Sequence, residues 1–487
     1  MPDNIYKRVA FFSGQSIPLE MHKARMVQRI YLRHIKDRQE VIGKAGNNTF
    51  LLPNRDVFLD MLTDSGVNAM SEAQYAAMLL ADDSYAGSET FYRLEKTIQE
   101  VFGTEYYLPA HQGRACENIL ANSYVKEGQY VVTNFHFTTT KAHITRLGGK
   151  IFEAVGEDAA KTVSSNLFKG NYDMDKFKSF VKETGVENIA FVRIEAGTNL
   201  IGGQPVSMAN MREVSEYCRS QGLKLVLDAS LLADNIYFIK TREKAYESKS
   251  LAEIVLEMSS LMDIIYFSGR KLGCARGGGI CTASKEEFLR MRDLVPLYEG
   301  FLTYGGMSVR EMEAMNVGIK ETLDIDIVSQ TPLFVEVLGS ELEKKGVPVV
   351  TPYGGLGCHV DALRFVDHVP QTEYPAGALA AAIYLAGGIR GMERGTLSEQ
   401  RNPDGSEHLS SMELVRLAIP KRVFSLSQIM YAADRIGWLY EHRHLIGGIK
   451  FSDEPKTLRF FLGTLVPVSD WQDKLVEAFL KDMPSGL

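Results

Sequence analysis

Lys271 lies in the stretch Ile264–Cys281, IIYFSGRKLGCARGGGIC, just past an apolar run that reads as a buried strand. A lysine amine at the mouth of such a strand, with the second cation Arg270 beside it, can be delivered neutral. A neutral amine forms a Schiff base with a carbonyl cofactor. The plain alternative is a surface Ser-Gly turn carrying two solvated cations.

Other chemistry-bearing residues stand at the ends of similar runs. LVLD ends in Asp228, a carboxylate that is costly in an apolar strand unless paired. It can bind a protonated pyridine nitrogen or simply cap the helix that follows. One helix and one strand fit between Asp228 and Lys271, which puts both at the same sheet edge. That pairing, an acid for the ring nitrogen and an amine for the aldehyde, is what a pyridoxal phosphate site needs. In HQGRACEN, Gln112-Gly113-Arg114 opens a helix whose free N–H groups and dipole can hold a phosphate, or is an ordinary glycine turn. NFHFTTTKAH offers Phe137 as a ring to stack on a flat cofactor, with Thr138 beside it. AGTNLIGGQPVS puts Asn199 at another strand end as a donor to a cofactor's phenolic oxygen.

The elements that must hold these residues follow a repeating pattern. Strands are expected at 106–108, 130–133, 150–154, 189–194, 224–227, 264–267 and 279–281, with amphipathic helices such as 114–125, 174–184, 209–221 and 251–261 between them. Alternation of this kind builds parallel βαβ units and a sheet buried on both faces, with ligands beyond the strands' carboxyl ends. A chain of 487 residues exceeds one core, so more than one domain is expected. We assign residues 1–62 to an N-terminal arm packing on the small domain, 63–325 to a large cofactor-binding domain and 326–487 to a small α+β domain. The arm is expected to hold a basic helix over 21–39, and the small domain a closing strand over 456–464.

Composition excludes several classes. A net charge of −7 lacks the basic footprint of a nucleic-acid surface. No apolar run approaches the roughly 18 residues that span a bilayer. Five scattered cysteines make neither a disulfide framework nor a zinc site, and we expect a cytoplasmic protein.

The stretches LLTDSGVNAMS, DDSYAGSETFY, HQGRACEN, IGGQPVSMANMR, NIYFIK, SGRK, YEGFLTYGG, GMERG, VRLAIPKR and EPKTLRFF, in collinear order, closely resemble the β-eliminating lyases formed by tyrosine phenol-lyase and tryptophanase. The resemblance implies a fold-type-I pyridoxal phosphate enzyme, α/β with a mostly parallel sheet in its large domain. It further implies a homotetramer with sites at a dimer interface, and a bound monovalent cation (potassium or ammonium) near Gly66 and Asp83. Carried over, Lys271 holds the cofactor aldehyde, Asp228 the ring nitrogen, Phe137 the ring face and Asn199 the phenolic oxygen. Gln112, Gly113, Arg114, Ser268 and Arg270 hold the phosphate. Arg416 clamps the substrate carboxylate, Tyr85 is the general acid, Tyr304 lies near a neighbouring subunit's site, and Thr63 and Ser65 line the substrate.

Phe137-Thr138-Thr139, Met392, Arg394 and Phe460 side with the phenol-lyase branch. Arg394 and Thr138 suit a phenolic oxygen, a polar reading that discriminates strongly. The implied reaction is β-elimination of L-tyrosine to phenol, pyruvate and ammonia. The alternatives are elimination or replacement on a modified tyrosine, tryptophan or S-substituted cysteine, or a non-catalytic homologue. The chain departs from the family at Leu231, where an arginine beside the cofactor phenolate is usual, at Arg270 (usually lysine), at Leu356 (usually histidine) and at Asp83 (usually glutamate). Arg276 is the one cation in the loop after Lys271 that could restore the missing charge.

Overall fold

The seven apolar runs become one sheet. Its strands are β1 (Tyr106–Ala110), β2 (Tyr130–Thr133), β3 (Lys150–Glu153), β4 (Ile189–Glu195), β5 (Leu225–Asp228), β6 (Ile264–Ser268) and β7 (Gly278–Thr282). They lie in the order β1-β7-β6-β5-β4-β2-β3, and only β7 runs against its neighbours. The inner strands, buried on both faces, need no polar alternation and read as largely apolar runs, whereas the edge strand β3 is only half-buried. The computed structural model describes residues 9–14 and 16–487. The described residues divide into two units: 9–14, 16–19, 65–159 and 166–330 in the first, and 20–64, 160–165 and 331–487 in the second.

In the first unit the register brings Glu195, Asp228 and Tyr266 side by side on β4, β5 and β6. Helix α1 (Gly113–Tyr124) follows β1, α2 (Thr138–Arg146) follows β2 and α3 (Leu232–Arg242) follows β5. The loop after Lys271 is fixed by its surroundings. Gln74 sits in a short helix begun by a Ser71 capping box and donates to the carbonyls of Gly273 and Ala314, both at 2.8 Å. Thr322 Oγ1 donates to the Leu272 carbonyl at 2.8 Å. A Cβ at Gly318 would meet the Gly273 oxygen at 1.9 Å, so only glycine lets helix α4 (Val309–Glu321) come this close.

The second unit is built on a three-stranded antiparallel sheet of β8 (Gly357–Asp361), β9 (Met392–Arg394) and β10 (Leu414–Ala418), with β10 in the middle. The buried helix α5 (Pro375–Gly387) packs beside it. Two expectations fail here. The helix expected over 21–39 begins only at Ile35. Met21, Met26, Val27, Ile30 and Tyr31 are all exposed, so within this chain the earlier stretch has no buried face to stabilise a helix. The strand expected over 456–464 is instead a helical turn, Arg459–Leu462, before a strand Thr464–Pro467. The buried Arg459 guanidinium pairs with Glu407 at 2.6 Å and Glu454 at 2.7 Å, which turns the segment inward.

Candidate active site

Lys271 sits in the turn after β6, and its Nζ lies 5.4 Å from the centroid of the Phe137 ring. Phe137 is the residue immediately before α2, and Thr138 is that helix's first residue. Two strand ends have thus brought the amine and the aromatic face together. Asp228 closes β5 as a buried carboxylate with three donors. Its Oδ1 accepts from the Ser230 N–H at 2.9 Å. Its Oδ2 accepts from Arg193 Nη2 at 2.6 Å and from the Tyr266 hydroxyl at 2.9 Å.

An anion cradle lies close by. Gln112 is the extended residue before α1, and the N–H groups of that helix's first turn have no partner within it. A Cβ on Gly113 would meet Ser268 Cβ at 3.0 Å, and one on Gly278 would meet the backbone of Gln112 and Gly113 at 3.0–3.2 Å. Arg270 stands near the same turn. Its Nε, buried, has no hydrogen-bond partner among the described residues. Burial, then the charges of Arg276 and Arg114, push its guanidinium below the usual value. Arg270 thus feels the charges of Arg114, in the first turn of α1, and of Arg276.

Arg193 and Glu195 are absent from the sequence-based set. Arg193 is 1% exposed and Glu195 4%. Besides Asp228, Arg193 gives Nε to Tyr266 Oη at 2.9 Å and Nη1 to Glu195 Oε2 and Thr133 Oγ1, both at 3.2 Å. Burial disfavours its charge, but Tyr266, Glu195 and Asp228 outweigh that and hold it protonated. Burial, with the charge of Asp228, holds Glu195 above its ordinary value, although Arg193 and the Asn199 N–H, 3.0 Å from Oε1, pull it down. Burial and the nearby Asp228 push Glu117 up to about 7, although the hydroxyls of Thr139 (2.5 Å) and Thr140 (2.7 Å) stabilise its carboxylate. Glu117 thereby fixes the first turn of α2, which carries Phe137 and Thr138. The signal for Arg193 and Glu195 was present: FVRIE puts two charges on one face of an otherwise apolar buried strand.

Asn199 is buried at the start of a helical turn after β4. Leu231 precedes α3 and packs against Gly197, whose Cβ would lie 3.0 Å from its own. Arg276 is exposed and its backbone N–H donates to Glu311 at 2.9 Å. Its charge is felt at Arg270. Tyr85 does not belong to the buried group. It is 72% exposed, with ring neighbours Tyr304 at 5.3 Å and Phe301 at 5.8 Å, and a hydrogen bond with Tyr304 raises its phenol. Gly66 has φ +77°, where a Cβ would strike the Arg270 guanidinium at 2.8 Å, and its N–H donates to the Arg270 carbonyl at 3.1 Å. Asp83 is exposed; the neighbouring Asp82 makes the helix cap, accepting from the N–H groups of Glu89 and Thr90. Among the described residues no group of three or more His, Cys, Asp or Glu is placed to hold a metal ion. Ser65 is half-buried at the start of the first unit's second segment.

The second unit holds a separate group. Arg416, buried in β10, donates Nη2 to the Leu62 carbonyl at 2.8 Å and reaches Met392 Sδ at 2.7 Å. Burial pushes its guanidinium down to about 10, against the pull of Asp64. Arg394, on β9, stands 5.9 Å from the Phe460 ring centroid. Thr63 is half-buried near the end of this unit's first segment. Leu356 is buried just before β8, and His359 lies within that strand.

Known proteins share this sequence and this architecture. Tyrosine phenol-lyase of Lacrimispora saccharolytica is 44% identical over 452 residues, 92% of this chain and 96% of its own. That of Fusobacterium nucleatum is 43% identical over 450 residues, 92% and 98% respectively. Among solved structures, threonine aldolase of Leishmania major superposes with a TM-score of 0.55 at 15% identity, covering 78% of this chain and 99% of that one. Serine palmitoyltransferase of S. paucimobilis gives 0.54 at 10%, covering 80% and 89%. The likeness to these two is one of fold. The profile described as beta-eliminating lyase matches residues 60–435, and the chain belongs to that family.

Proposed function

We propose that this protein is a pyridoxal phosphate-dependent carbon–carbon lyase that splits L-tyrosine into phenol, pyruvate and ammonia. The observation that carries the reading is the similarity, over nine-tenths of the chain, to proteins named tyrosine phenol-lyase. The local chemistry fits the cofactor. Gly113 leaves the space a Cβ would fill, and Arg270 has an unsatisfied Nε in a cluster of cations, as a doubly charged phosphate would require. Gln112, Gly113, Arg114, Ser268 and Arg270 would hold its phosphate, Asp228 would face the ring nitrogen, Phe137 would cover the ring and Asn199 would donate to the phenolic oxygen.

When bound, pyridoxal phosphate supplies the electron-accepting ring that stabilises negative charge at the substrate's Cα. Lys271 would hold the cofactor's aldehyde carbon at rest, and its Nζ, once free, would take the substrate's Cα proton. Arg416 grips the α-carboxylate with its guanidinium fork. By the likeness to those lyases, Arg394 and Thr138 would take the phenolic oxygen, and Met392, Phe460, Thr63 and Ser65 would contact the substrate. Tyr85 Oη delivers a proton to the ring carbon that bears the side chain, and the bond to Cβ breaks. Its hydrogen bond with Tyr304 supports the protonated starting state this needs.

Finer assignments belong to the same reading. A homotetramer with sites at a dimer interface follows from the likeness to those lyases, and the adjacent exposed Leu79 and Leu80 offer apolar surface that a second copy would cover. Gly66 and Asp83 would hold a monovalent cation, potassium or ammonium. Among the described residues no helix is long and apolar enough to cross a membrane, and a cytoplasmic setting suits the scattered cysteines. The test is a substrate panel on the cofactor-loaded enzyme: tyrosine, 3-hydroxytyrosine, tryptophan and S-alkylcysteines. Phenol and pyruvate from tyrosine are expected. Pyruvate from S-alkylcysteine with none from tyrosine would leave a β-eliminating lyase of other specificity.

A further inference from the structure

Arg193 lies between two buried carboxylates, Asp228 and Glu195. If Asp228 faced the ring nitrogen alone, it would present one negative charge. Arg193, at 2.6 Å, cancels that charge and leaves a neutral pair, a poor counter-ion for a protonated pyridine. Glu195 restores it. Its two oxygens accept from Arg193 Nη1 and the Asn199 N–H, contacts that favour the ionised carboxylate against the cost of burial. Register reinforces the contact, since Glu195 and Asp228 are directly paired on neighbouring strands. Tyr266 bridges Arg193 and Asp228, accepting from Nε and donating to Oδ2.

We propose that Glu195, acting through Arg193, is a positioning residue for the cofactor's ring nitrogen: Glu195, Arg193 and Asp228 form one extended counter-ion of net charge −1. The inference rests on the cofactor reading above. In it Arg193 orients Asp228, and Glu195 keeps the group negative enough to hold the ring nitrogen protonated.

The test uses holoenzyme loaded with pyridoxal phosphate labelled with ¹⁵N in the ring. The ¹⁵N chemical shift of the bound cofactor is read beside kcat and KM for L-tyrosine. Glu195→Gln should move the resonance toward that of an unprotonated pyridine and lower kcat about tenfold, with KM changed less than about twofold. The double variant Arg193→Gln/Glu195→Gln should move it back, because Asp228, still held by Tyr266 and Ser230, regains its uncancelled charge. A merely structural role predicts the opposite order, with the double variant at least as perturbed. If Glu195→Gln does not fold, Arg193→Gln decides alone: its resonance should stay at the protonated position, and a move toward unprotonated pyridine overturns the proposal. A wild-type resonance in Glu195→Gln also overturns it. A wild-type chain that takes up no cofactor overturns the functional reading instead.

Discussion

The Lys271 amine stands 5.4 Å from the centre of the Phe137 ring, with the ring at the head of α2 and the amine in the turn closing β6. A flat group lying on Phe137 would present its substituents to Lys271. The first prediction tests that contact. Borohydride reduction of the cofactor-loaded enzyme should fix pyridoxal phosphate to the peptide containing Lys271, read as a mass increase on that peptide alone. Lys271→Ala should give an unlabelled peptide.

Gly113→Ala adds a Cβ about 3.0 Å from that of Ser268, closer than nearly all real contacts. Either the helix start or Ser268, both assigned to the phosphate, must then shift. Cofactor affinity, measured by equilibrium titration of apoenzyme, should fall about tenfold or more, roughly the 1–2 kcal/mol of one lost charge-assisted contact. Unchanged affinity would place the phosphate elsewhere.

Arg394→Ala should cut activity on L-tyrosine by about a hundredfold while sparing S-alkylcysteines, whose leaving groups have no phenolic oxygen to hold. Equal losses on both substrates would mean that Arg394 does not read the phenol.

Glu393 is buried beside Glu413, and burial, then that second carboxyl, push it up to about 8. The folded protein keeps this proton while the unfolded chain loses it near the ordinary value of 4.5. Its contribution to stability is therefore full in acid, declines as pH rises through the window between those values, and levels off above about 8. Glu393→Gln has no proton to lose. Its melting temperature should exceed that of the wild type by several degrees at about pH 8, with the gap closing at about pH 5. A gap independent of pH would assign the effect to packing.

Much of the first unit is legible in the sequence because a sheet buried on both faces prints itself as apolar runs. All seven strands were found within two residues at each end. The strand-end residues Asp228 and Lys271 follow from that pattern. Arg193, Glu195 and Tyr266 do not, since a periodicity reading treats a charge within a strand as noise and cannot say which carboxylate will face it. The second unit was harder to read. Arg459 turns a strand-like segment into a helical turn through ion pairs with Glu407 and Glu454, partners contributed by other segments of the chain. Stretch 21–34 carries helix-like residues, yet no buried face of this chain completes them.

In the proposed reaction the bond between Cβ and the phenol ring is broken, with a proton taking the side chain's place on the ring. Running the cofactor-loaded enzyme on L-tyrosine in heavy water tests it most directly. The account predicts phenol and pyruvate in equal amounts, the phenol bearing one carbon-bound deuterium opposite its hydroxyl. Loaded enzyme that leaves tyrosine intact, or pyruvate formed without phenol, would contradict it.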